Sequence, residues 1–209
     1  VSEPPRHRSA TRRELLAAGA VAGAAALATP GLLPAVAAGA SGGGPSPPTD
    51  DAAHLERVLS MAVLGAYVYR QVFAEGVLSQ SQRRALDGFA EQEQAHVVAL
   101  RQAAGAAGAP VRPPSSLDVA NKDLAHRGIG GRLGQLQGSD DALDLLVSVE
   151  RSSIGSCYVA LLGLTGSAAI VLVASIMAND AQHEAVVTLQ RPTLTLALAA
   201  PFPLVSGVH

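Results

Sequence analysis

The chain holds one cysteine, no tryptophan, and only three phenylalanines and three tyrosines among its 209 residues. A lone thiol, Cys157, excludes an internal disulfide, and its apolar helical surroundings mark it as a small core residue. It gives no basis for a structural zinc cluster built on thiolates. So few aromatics leave a core rich in alanine, which lets helices approach closely but supplies less buried area per residue than Leu and Phe would. Charge is sparse as well, at 15% of residues. Of the 15 Lys/Arg and 17 Asp/Glu, four cations and two acids precede residue 38, so the remainder carries a net charge near −4. Without a concentrated basic surface there is no platform for nucleic acid. The runs GAAGAP (105–110) and GIGGRLG (128–134) follow no strand pattern, so neither reads as a nucleotide-binding loop.

What is present begins with residues 1–40: a basic opening, an uncharged small-apolar run from Leu15, and small residues around Ala35–Ala40 that suit a signal peptidase. TRREL at 11–15 resembles the twin-arginine export signature, and the modest hydrophobicity of the Ala/Gly run fits that route. The expected partner is therefore the twin-arginine export machinery, and the expected location periplasmic or extracellular. Cleavage suits either the AVA at 35–37 or the AGA at 38–40. An uncleaved signal would act as a membrane anchor, although Pro30, Gly31 and Pro34 argue against a clean span. Residues 41–50, SGGGPSPPTD, have the composition of a flexible linker.

A helical domain is expected over 51–191. Residues 50–76 carry acids at the start, apolar residues every three or four positions and a closing glycine. A second helix follows from a Ser79 or Ser81 cap, with Leu86, Phe89, Val97 and Leu100 on its apolar stripe. The short turn between the two predicts antiparallel neighbours. Pro110, Pro113 and Pro114 open a long connection through residue 139, with room for one short helix. Helical periodicity resumes over 140–166 and 167–191, Pro192 stops it, and residues 192–209 read as an extended tail over the bundle. Four helices joined short, long, short predict an all-α four-helix bundle with a long middle crossover.

The second and fourth helices echo each other. Phe89, Glu93, His96 and Leu100 have the spacing of Ile176, Asp180, His183 and Val187, which puts a carboxylate and an imidazole one turn apart inside each apolar stripe. Glu150, between Leu146 and Ile154, adds a third acid on an apolar face. It precedes Asp180 by 30 residues and His183 by 33, a gap that returns two antiparallel helices to one level. Charged groups inside an apolar stripe need partners or a metal, and oxygen with imidazole donors suits iron or manganese.

On Glu93, His96, Glu150, Asp180 and His183 the chain resembles the ferritin-like superfamily of di-iron and di-manganese carboxylate proteins, in its exported bacterial branch. The resemblance spans about residues 50–191 and implies an up-down-down-up bundle. EQAH at 93–96 then supplies the second-helix pair, Glu150 the third-helix bridging carboxylate, and DAQH at 180–183 the fourth-helix pair, with Asp180 in place of the usual glutamate. The first-helix glutamate is missing. Counting back from Glu93 and His96 by the same 30 and 33 residues arrives at Val63. Glu56 shares nearly that face but sits about 10 Å away along the axis. Tyr67 and Tyr69 come within reach, more simply as packing aromatics with satisfied hydroxyls.

Three carboxylates in place of four favour one ion over two. The expectation is an exported ferritin-like protein binding iron or manganese, with oxidase or peroxide-detoxifying chemistry. The alternative is a metal-free degenerate scaffold with a structural or stress-related envelope role, its acids paired with the histidines. No surface stripe repeats into a storage shell, so a monomer or homodimer is expected.

Overall fold

The apolar stripe after the linker folds as α1, Thr49–Glu75, and its middle is covered nearly all round: Val58, Leu59, Met61, Ala62, Val63, Leu64, Ala66, Val68 and Tyr69 are all buried. The structure, a computed structural model, describes residues 49–105 and 111–191. The segments expected to be an export signal and a C-terminal tail, and most of the expected linker, lie outside the described residues. Helix α1 takes in the last two positions assigned to the linker, Thr49 and Asp50.

Ser79 starts α2, Gln80–Ala85, through a reciprocal cap: its hydroxyl accepts from the Gln82 amide, and the Gln82 side chain accepts from the Ser79 amide. The second helix is not continuous, as its periodicity predicts, but breaks at residues 86–88. Gly88 takes φ +87°, a left-handed conformation that a helix interior cannot hold, and α3 restarts as Phe89–Ala104. The crossover contains the one short helix expected among the described residues, α4, Leu117–His126, capped by Ser116. Helices α5, Ser139–Leu161, and α6, Ser167–Leu189, follow. Although α6 is rich in apolar residues, no described helix is long and apolar enough to cross a membrane.

Hydrogen bonds set the directions. Arg127 reaches Ser60 (2.8 Å) and the Gly134 amide reaches Glu75 (2.7 Å), so the crossover climbs along α1 from its middle to its end. Those α1 residues are about 22 Å apart at 1.5 Å per residue. At the opposite end, Asp51 accepts from the Thr165 amide (2.9 Å), the Thr165 hydroxyl (3.0 Å) and the Gly166 amide (2.8 Å). The end of α5 therefore lies at the start of α1. Helices α3 and α5 both run against α1, and α6 returns alongside it, which makes the bundle up-down-down-up as expected.

A polar layer divides the apolar interior in two. On α3, Phe89 belongs to one half and Val97 and Leu100 to the other; on α5 the divide falls between Val149 and Cys157; on α6 it falls between Ile176 and Val187. Cys157 is buried and free. The residues between these anchors form the site.

Candidate metal centre

Glu93 and His96 come from α3, Glu150 from α5, and Asp180 and His183 from α6. None of the five is more than 3% exposed, so none can rely on water for its polar atoms. The structure brings all five together. One ligand atom from each of Glu93, Glu150, Asp180 and His183 lies within 4.8 Å of all the others. His183 Nδ1 stands 3.2 Å from Glu93 Oε1 and 3.4 Å from Glu150 Oε1. His96 is outside that group of four but adjoins it, with Nδ1 3.4 Å from Asp180 Oδ1 and 3.6 Å from Glu93 Oε1.

Those approaches lack hydrogen-bond geometry. Glu93 Oε1, Asp180 Oδ1, His183 Nδ1 and both nitrogens of His96 are buried without a hydrogen-bond partner. Leaving several buried polar atoms unpaired is costly, and native interiors rarely do it. Atoms bound to one cation at about 2.1 Å stand about 3.0–3.4 Å from one another, close to the spacings seen here. The residues fit a metal ion: a buried set of three carboxylates and an imidazole, able to coordinate one ion. Hard oxygen and imidazole donors suit iron and manganese alike.

Further side chains aim these atoms. The Ser153 hydroxyl donates to Asp180 Oδ2 (2.6 Å), which leaves Oδ1 for the cluster. The Tyr69 hydroxyl donates to Glu150 Oε1. His183 Nε2 lies 2.9 Å from Gln92 Oε1, and the Phe89 ring stacks on the imidazole at 4.0 Å between centroids, 19° from parallel. Tyr69, which the sequence places within reach of the site but more simply as a packing aromatic with a satisfied hydroxyl, does both, being fully buried and bonded to Glu150, whereas nothing in the sequence reading singled out Ser153 or Gln92. Ser153 lies one turn after Glu150 on the same face, and Gln92 directly precedes Glu93 as Asn179 precedes Asp180. The echo between helices is thus one residue longer than the acid–histidine pair.

Val63 is not the α1 residue at the site. It is buried with the apolar half that includes Leu59, Val97 and Leu100. Gly65 faces Glu93 instead: a Cβ there would sit 3.1 Å from Glu93 Oε2 and 3.7 Å from Val149 Cγ1. The 30-residue count transfers poorly because the path from α1 to α3 includes two non-helical stretches. Such residues advance up to about 3.3 Å each against 1.5 Å in a helix, so fewer are needed to return to one level. Glu184, next to His183 in the chain, is 18% exposed and pairs with Arg151 at 2.7 Å.

The cluster perturbs its own protonation. Burial opposes the charge of Glu93, yet the neighbouring His183 and His96 pull its carboxyl down to about 2. Burial, then the charge of Glu93, push Glu150 up to about 7. Asp180 is raised well above the usual carboxylate range by burial and by Glu93 and Glu150. Burial would lower both histidines, but Glu150 and Glu93 raise His183 to about 10, and Glu93 and Asp180 raise His96. Burial pushes the Cys157 thiol up, as befits a packed and unreactive group.

The ferritin-like domain family matches residues 50–191 of the chain. No curated protein and no solved structure matches it.

Proposed function

Starting from a chain that belongs to the ferritin-like domain family, we propose an exported protein that holds one iron or manganese ion in its bundle core and uses it in ferrous-iron oxidation or peroxide removal. The observation carrying this reading is the set of buried, unpartnered ligand atoms on Glu93, Asp180 and His183 around one point. With Glu150 these residues would hold the ion, and His96 would add Nδ1 from the side of Glu93 and Asp180. A bound iron or manganese ion supplies one-electron exchange with O2 or a peroxide.

The protein's own groups do the remaining work. The two apolar halves keep bulk water from the polar layer. Glu150, with its carboxyl near 7, takes up or releases a proton as the charge of the cluster changes, while Tyr69 holds its Oε1 in place. Export by the twin-arginine route rests on TRREL and the small-apolar run after it, and such a route suits a protein that folds around its metal before translocation. The periplasm or the extracellular space is the proposed location, and a monomer or homodimer the proposed state.

Gly65 favours a second reading. With no carboxylate reaching the cluster from α1 beside Glu93, and with both imidazoles raised by the acids they face, the same network serves a metal-free scaffold. Metal analysis after anaerobic reconstitution separates the two. Near-stoichiometric iron or manganese in the unmutated protein, lost in Glu150→Ala, is the expected result; its absence from the unmutated protein sinks the metal reading.

A further inference from the structure

His183 turns Nδ1 toward Glu93 and Glu150 and Nε2 toward Gln92. The same Gln92 oxygen faces Asn179 Nδ2 at 3.3 Å. With the Asn179 NH2 turned to Gln92, the amide oxygen is the Gln92 atom that faces both partners. A carbonyl oxygen carries no hydrogen, so His183 Nε2 must supply the one between them. In the neutral ring this leaves the lone pair on Nδ1, the nitrogen that faces the carboxylates.

We infer that Gln92 is a positioning residue: its side-chain carbonyl holds the hydrogen on His183 Nε2 and thereby makes Nδ1 the nitrogen His183 presents to the cluster. As far as a metal ion is concerned, this rests on the reading of the cluster as a metal centre. The contrast with His96 isolates the effect. Asn179 stands before Asp180 as Gln92 stands before Glu93, but it is one methylene shorter. Its Oδ1 has no partner, and neither nitrogen of His96 has one. Of the two imidazoles, only His183 is oriented by an amide from the opposite helix, and Phe89 stacked on its face keeps the ring plane fixed. Partners that orient a ligating imidazole typically contribute about 10–100-fold in metal affinity.

The test uses the full chain. Gln92→Met keeps the length of the side chain without its acceptor; Gln92→Glu keeps the acceptor. Imidazole N–H and nitrogen resonances, which separate the two tautomers of the neutral ring, are recorded on metal-free protein above pH 10, where His183 is neutral, and affinity for zinc, a diamagnetic probe, is measured by competition with a chelator. A slowly exchanging His183 Nε2–H signal is expected in the unmutated protein and in Q92E, and its loss in Q92M. Zinc affinity should fall about 10–100-fold in Q92M and be retained in Q92E. Gln92→Leu replaces Q92M should the latter not fold. A Q92M protein that keeps the protected proton, or loses it with zinc affinity unchanged, overturns the inference. Failure of the unmutated protein to bind zinc counts against the metal reading alone, and the protected proton with its loss in Q92M then decides what Gln92 does.

Discussion

Glu150 and His183 both hold protons more tightly in the metal-free fold than they would in water, at about 7 and about 10 respectively. Each must give up a proton to ligate, so metal binding releases protons and strengthens as pH rises. Affinity measured by chelator competition should climb from pH 7 toward 10, where these two groups titrate, and weaken below neutrality. Glu93 acts on stability instead of affinity, and in the same direction with pH. Its carboxyl falls from 4.5 to about 2, so its contribution is complete above 4.5 and is lost as pH falls through about 2. Circular dichroism of metal-free protein should show acid unfolding develop across that window. Tyr69 is fully buried with its hydroxyl on Glu150, so Tyr69→Phe keeps the packing and removes one donor. A loss of about 1–2 kcal/mol in denaturant unfolding is expected.

Helices α3 and α6 repeat one pattern, amide–acid–two residues–histidine, and α6 carries the shorter amide and the shorter acid. Asn179→Gln restores the missing methylene and should give His96 the orienting partner that His183 has in Gln92. The readout is a new protected imidazole N–H for His96, together with tighter zinc binding. At the far end of the bundle, Asp51 ties the start of α1 to the turn between α5 and α6 through three hydrogen bonds. Asp51→Ala strips the Thr165 and Gly166 amides of their acceptor, so thermal unfolding should occur at lower temperature. The break at Gly88 acts at this scale too. Periodicity across residues 78–104 looks unbroken because Leu86 and Phe89 both point to the core, and a left-handed glycine between them leaves no mark on an apolar pattern.

For the whole bundle, a polar layer between two apolar halves makes the site part of the fold, so a bound ion should stabilise the entire domain. With free metal about a hundredfold above its dissociation constant, the gain is about 2.7 kcal/mol. Calorimetry should show the unfolding temperature rise on loading with manganese and fall again with chelator, whereas no change with metal would favour the scaffold. The sequence by itself determined the helical domain, the long crossover and the five residues of the cluster, because a 3.6-residue period and the spacing within one helix are local properties. Glu93 with His96, and Asp180 with His183, had to share a face wherever their helices went. Register between helices was decided only in three dimensions, since it depends on the advance of turns and breaks that no periodicity records. That register set Gly65, not Val63, against Glu93 and brought the Tyr69 hydroxyl to Glu150. It also let Gln92 cross from α3 to His183 on α6, because a side chain's hydrogen-bond partner on another helix is fixed by packing.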